Sequence, residues 1–284
     1  ITDSSNLSAS GNVTLNDVAT AGITLGTLEA DANVILTAAG NTAITNDAAL
    51  ALQGAVTGTL AATATTGGIT DSSNLSASGN VTLNDVATAG ITLGTLEADA
   101  NVILTAAGNT AITNDAALAL QGTVTGTLDA TATTGDITDS DALAVSGASV
   151  FILGADGTNI TLDSAANAFS GAVTLKAGSS GGQTFGNIVF VDSGAIDFDS
   201  AASADGDLFL DGGTDNTVGG TLAVTATTGG ITDSATIAVT GDLTLNDVAT
   251  AGITLGTLEA DANVIITAAG NTAITNDAAL ALQG

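Results

Sequence analysis

Cysteine, histidine, proline, methionine, tryptophan, tyrosine and arginine are all missing from the 284 residues, and Lys176 is the only basic side chain against 29 acids. Each absence excludes something. Without cysteine there is neither a disulfide framework nor a thiolate metal site. With one base and a formal net charge of −28, nothing neutralises phosphates, so nucleic acid is excluded as a partner. No apolar run approaches the roughly 18 residues that a membrane span needs. No basic n-region or other targeting segment opens the sequence at Ile1, as expected of a stretch excised from a longer chain.

What is present is apolar. Hydrophobic residues make up 45% of the chain, too many for a charge-rich disordered segment. They are arranged in repeats. Residues 1–54 recur unchanged at 69–122 and again at 231–284 with nine substitutions. The connectors AVTGTLAATATTGG (55–68) and TVTGTLDATATTGD (123–136) complete two units, and 137–230 separates the second from the third. The organisation reads as one continuous solenoid over 1–284. Its parts are unit 1 (1–68), unit 2 (69–136), a divergent segment with enlarged coils (137–230) and a partial unit 3 (231–284). Repetition of this kind signals a stacked, quasi-one-dimensional architecture.

Isoleucine followed by Thr or Asp recurs within the units, at Ile1, Ile23, Ile44, Ile69, Ile91 and onwards to Ile274. Most of these spacings give a coil of 21–25 residues, three to each 68-residue unit and about 12 in the chain. NVTLND, NVILTA and GITLGTLEA alternate apolar with small or polar residues at a period of two, the signature of strands. One coil reads as three short strands, Val13 to Leu15, Ile23 to Leu25 and Leu28 to Ala30. Gly, Asn, Asp and Ser supply the turns. Stacking is expected to put Ile23, Ile44 and Ile69 in one interior column and Leu28, Leu50 and Leu75 in another. The fold class is therefore all-β, a parallel β-helix, right-handed as parallel crossovers usually are. Twelve coils at roughly 4.8 Å each give a rod about 58 Å long.

Several strings resemble the repeat regions of filamentous-haemagglutinin-like proteins of bacterial surfaces. They are ITDSDALAVSG and GTNITLDSAANAFSGAVTL within 137–175, TLAVTATTGGITDS at 221–234 and GDLTLNDV at 241–248. The resemblance implies a large secreted β-helical rod, exported by a two-partner system and acting as an adhesin or extracellular filament. The bacterial cell surface is the location it implies.

Catalysis is not expected. Lyase chemistry needs a base and cations to stabilise developing charge, and Lys176 is the only base. A glycosidase needs two flanking carboxylates, but aromatic platforms for sugar rings are nearly absent, since the six Phe read as core. No cofactor is required. Calcium is the one ion the residue inventory suits, because it takes six to eight oxygen ligands. The candidate ligands are Asp197, Asp199, Asp205, Asp207, Asp211 and Asp215, with Asp192 just upstream. Neither an EF-hand loop nor a Gly-Gly-x-Gly-x-Asp nonapeptide is present, and the competing reading is that these Asp occupy solvated turns. The charge per unit length approaches that of duplex DNA, so divalent cations are expected to bundle the rods.

The divergent segment holds every Phe (Phe151, Phe169, Phe185, Phe190, Phe198, Phe209) and Lys176. Its surplus length falls near GSSGGQTFG (178–186) and DGGTDNTVGG (211–220), read either as loops leaving the rod or as extra short coils with FGNIVFVD as a strand. The Phe fill a wider cross-section, and Lys176 pairs with a nearby Asp. A glycan or receptor site, if the rod has one, belongs here. The Asn-x-Ser/Thr sites at Asn6, Asn12, Asn74, Asn80 and Asn159 read as turn and strand-start residues.

The function read from these features is a structural segment of a long extracellular filament or surface fibre. Near-identical repeats favour it, as does the scarcity of trypsin-like cleavage sites. Self-association, end to end or lateral, is its expected partnership. The alternative is the stalk or binding region of an adhesin.

Overall fold

Alternation of Val, Leu and Ile with small polar residues gives every strand one face to bury. A computed structural model describes residues 1–178, 183–201, 203–211 and 217–284. Among them are strands, turns and bends and no helix. All pairings are parallel, and the stacked turns number about 13 in all. The chain divides into two units, residues 1–133 and 134–284.

In the first unit successive strands fall alternately into two parallel sheets. One contains Leu7–Ala9, Ile23–Ala30, Thr42–Asn46, Leu60–Ala64, Val81–Asp85, Asn101–Ala106 and Leu118–Val124. The other contains Val13–Asp17, Asn33–Ala38, Leu50–Val56, Ile69–Ala77, Ile91–Ala98, Thr110–Asn114 and Leu128–Ala132. Two strands thus make one turn. Inward residues such as Val34, Leu36, Leu50, Leu52, Val81 and Leu83 are almost wholly buried. Each fully buried aliphatic side chain of this kind contributes roughly 1.5–3 kcal/mol.

Many of the turns are shorter than the expected 21–25 residues. Val13 lies beside Val34 and Val34 beside Leu52, steps of 21 and then 18 residues. The expected third strand is absorbed into its neighbour. Ile23 to Leu25 and Leu28 to Ala30 form one strand whose register shifts between Leu25 and Leu28, at Gly26 and Thr27. Such a bulge bends a strand and leaves backbone groups unpaired.

Ile91–Ala98 is the seventh strand after its copy Ile23–Ala30, so the 68-residue period spans three and a half turns instead of three. The extra half turn puts identical sequences on opposite sheets. ITLGTLEA at 23–30 pairs within one sheet and ITLGTLEA at 91–98 within the other. VTLND at 13–17 and 81–85 shows the same exchange. The expected columns change accordingly. Ile23 aligns with Thr42, and Ile44 with Leu25 and Ala62. Ile69 belongs to the opposite sheet, between Leu50 and Ile91.

The second unit follows the same plan, with wider turns up to Leu222. Ile137 lies beside Ile160, Ile160 beside Ile188, and Ile188 beside Leu222, steps of 23, 28 and 34 residues. The surplus in the widest step forms the strands Ile196–Phe198 and Asp207–Asp211, which pair with each other. Ile188–Asp192, within FGNIVFVD, is a strand of the sheet itself. Parts of both Gly-rich stretches, at 179–182 and 212–216, lie outside the described residues.

Candidate functional site

Three polar devices recur in the repeats. Asn46 follows Thr42 and Ile44 on the inward phase of its strand and is completely buried. Its Oδ1 accepts from the Ala30 N–H at 2.8 Å, and its Nδ2 donates to the carbonyls of Ala30 (3.1 Å) and Ala49 (2.7 Å). Asn114 does the same with Ala98 and Ala117, and Asn276 repeats the bond to the Ala260 N–H. The side-chain amide supplies the hydrogen bonds that the bulged backbone cannot make itself.

A second device covers the bulge from the preceding turn. Asp3 accepts from the N–H groups of Gly26 (3.1 Å) and Thr27 (2.8 Å) and from the Thr27 hydroxyl. Asp71 and Asp233 repeat it at Gly94 and Thr95, and at Gly256 and Thr257. The Gly26 N–H, followed by that of Thr27, holds the Asp3 carboxyl below its ordinary pKa, because donors favour the ionised form. Asp156 is lowered in the same way by the N–H and hydroxyl of Thr184.

The third device closes a turn. Asp17, Asp85 and Asp247 accept from the N–H of the glycine five residues on, at 2.7, 2.8 and 2.7 Å. Gly22 has φ +88, and a Cβ there would stand 2.3 Å from the Asn41 carbonyl oxygen, so the turn requires glycine.

The expected calcium ligands are spread over several such roles. Asp197 accepts from the hydroxyls of Thr232 (2.9 Å) and Ser234 (2.6 Å). Asp199 accepts from the Ser200 N–H next to it. Asp207, 8% exposed, takes the N–H groups of Ser203 and Ala204. Asp211 pairs with Lys176 at 2.6 Å across adjacent strands, the partner that the sequence left open. With both side chains about a third exposed, that pair is worth about 0.2–1 kcal/mol. Asp205 is exposed, and Asp215 lies outside the described residues. Among the described residues no three acidic side chains gather closely enough to hold a metal ion.

Asp192 stands apart because it is only 3% exposed. Burial pushes its pKa up, and the charge of Asp205 adds to the rise, against hydrogen bonds from the Phe169 and Gly194 N–H groups. Beside it the widened core is filled by rings. Phe169 meets Phe151 edge-on at 5.9 Å and stacks on Phe190 at 5.4 Å. Phe185 and Phe198 are also buried, whereas Phe209 faces outward between Leu208 and Leu210 and is half-buried. Sequence reasoning missed the three recurring devices, although the signal was present. Counting the period of two through Val13 and Leu15, or Thr42 and Ile44, places Asp17 and Asn46 on the inward side.

Residues 39–106 and 107–176 match a family model described as repeats of unknown function (DUF5649). The first match has the 68-residue length of the sequence period and contains seven strands, Thr42–Asn46 through Asn101–Ala106. No curated protein and no solved structure matches the chain.

Proposed function

We propose that this chain is a non-catalytic structural segment of a long extracellular β-solenoid filament or bacterial surface fibre, and that divalent cations govern its association. The observation that carries this reading is the half-integral period. Identical copies stand on opposite sheets, so both sides of the first unit present the same outward residues, and no single face is set apart for a ligand. Asp3 and Asn46 with their copies support it further, since their oxygens are engaged by backbone donors of neighbouring turns, a use that stiffens a stack. Eleven acids and no base occur in residues 1–133. On seven turns of about 4.8 Å they amount to one negative charge per roughly 3 Å, enough to hold counterions closely.

Electron microscopy of the natural material, with Ca²⁺ and with EDTA, tests the proposal. Long unbranched fibres with an axial repeat of about 4.8 Å are expected, loosening in EDTA. Short isolated rods tipped by a globular head would overturn it in favour of a filamentous-haemagglutinin-like adhesin stalk. The departure of 137–230 from the repeat, with outward-facing Phe209, is the feature that favours this second reading.

A further inference from the structure

The turns joining the two sheets of residues 1–133 form two ladders, one along each edge. On one edge the turns 18–22, 39–41, 57–59 and 78–80 (VATAG, AGN, TGT, SGN) follow one another without a charged residue. On the other edge 86–90, 107–109 and 125–127 (VATAG, AGN, TGT) do the same. The acids lie elsewhere along each ladder, Asp99 and Asp115 on the first and Asp31 and Asp47 on the second. On each ladder a valine opens the VATAG turn and points into solvent. Val18 is 86% exposed and Val86 55%, and Val248, in the same turn of the third copy, is 55% exposed. Beside Val86 lies a cleft of about 280 Å³ walled by Thr105, Ala106, Ala107 and Thr123, with Asn84 and the buried Asp85 also in its lining.

We propose that these uncharged turn ladders are lateral contact surfaces, and that their partner is a second copy of this chain. The inference rests on the filament reading and specifies its contact. Two chains with 28 net negative charges each repel wherever carboxylates meet, and close approach costs least where no charge must be desolvated. The exposed valine supplies a knob, and the cleft beside Val86 supplies a recess of methyl, hydroxyl and amide groups whose one acid, Asp85, is 1% exposed and bonded to the Gly90 N–H. The half-turn period puts this knob on both edges. A contact from one edge to the opposite edge of the next copy is heterologous and does not close on itself, so it propagates. The product is a flat raft of parallel rods, with the sheet faces left free.

Full-length chain in millimolar Ca²⁺, followed by pelleting and electron microscopy, tests the assignment. The edge variant is Val18→Asp/Val86→Asp/Val248→Asp. Its control, Thr24→Asp/Thr92→Asp/Thr254→Asp, adds the same charge at exposed positions in mid-strand. Wild type and control are expected to form rafts one rod thick. The edge variant should keep its β circular dichroism while its pelleted fraction falls about tenfold or more, as expected for charge placed against like charge at a contact. An edge variant that still pelleted, or a control that dispersed instead, would overturn the edge assignment and leave the filament reading standing. Wild-type chain that formed neither rafts nor fibres would overturn both.

Discussion

Asn114 and Ala98 exchange two hydrogen bonds across adjacent strands, Oδ1 accepting from the Ala98 N–H at 2.8 Å and Nδ2 donating to the Ala98 carbonyl at 3.2 Å. The strand of Ala98 shifts register between Leu93 and Leu96, and the amide covers that irregularity from inside the core. Asn114→Ala strands the N–H of Ala98 in an apolar interior, and its carbonyl there and the part-buried carbonyl of Ala117 each lose a donor. It is expected to lower unfolding stability by about 2–4 kcal/mol, since each buried unsatisfied group costs about 1–3 kcal/mol. Asn114→Asp, which turns a carboxylate oxygen towards the Ala98 and Ala117 carbonyls at a fully buried position, should cost at least as much. A denaturant midpoint unchanged from wild type in Asn114→Ala would contradict this role.

Thr42 and Thr110 make the opposite case. Both are buried, and neither hydroxyl has a hydrogen-bond partner in the structure. Thr42 stacks between Ile23 and Leu60, and Thr110 between Ile91 and Leu128. Replacing either by Val keeps the shape and removes the unpaired oxygen, so each substitution should raise stability by about 1 kcal/mol. A lower thermal midpoint for both would show that the hydroxyls are satisfied after all.

Acid acts on the chain in two directions. Asp3 and Asp156 have folded pKa values below their ordinary range, so their contribution is present above the unfolded value of 3.8 and lost as pH falls through the depressed folded value. Asp192 is raised, so its contribution is complete below 3.8 and is lost as pH rises through its higher folded value. Asp192→Asn should therefore flatten the decline of stability on the alkaline side of 3.8 and leave the acid limb in place. Urea midpoints measured from acid to neutral pH check this. Curves for the two proteins that run parallel on the alkaline side would contradict it.

Glycine at position 54 is fixed by its neighbour. Its φ is +110, and a Cβ would stand 2.0 Å from the Leu36 carbonyl oxygen in the adjacent strand. Gly54→Ala should cost at least about 2 kcal/mol, as backbone strain and steric overlap combine, and Gly122→Ala the same in the second copy. The control Gly94→Ala, where no atom lies within 4 Å, should cost much less. Equal losses at Gly54 and Gly94 would count against the close approach.

The β-solenoid could be read from the sequence because its determinants are local. A period of two marks strands, and repetition makes them stack. The phase of the stack could not be read so easily. Isoleucine at 23, 44 and 69 suggests one column, but Gly26 and Thr27 are taken up in a bulge and the connector at 55–68 adds a strand, which together convert three turns into three and a half. That sum depends on which residues the ladder skips, a property of paired strands and not of one strand alone. Parity counting would have placed Asn46 and Asp17 inside. The emphasis on acid density pointed to Asp197–Asp215 instead, where Asp197, Asp207 and Asp211 each bond to a neighbouring side chain or turn. The pairing of Lys176 with Asp211 required the 35-residue step between adjacent strands, which no repeat length supplied.

The most direct test of the account is the distance between equivalent residues of the two identical copies. Nitroxide labels at Thr14→Cys and Thr82→Cys, in a chain with no other cysteine, occupy the same place in VTLND on opposite sheets. Pulsed dipolar spectroscopy should give a separation well above 20 Å, because the outward labels add to a rise of three and a half turns of about 4.8 Å and a sheet spacing of about 10 Å. A distance near 14 Å, the rise of three turns along a single face, would contradict the half-turn exchange and with it the two-sided surface on which the structural reading rests.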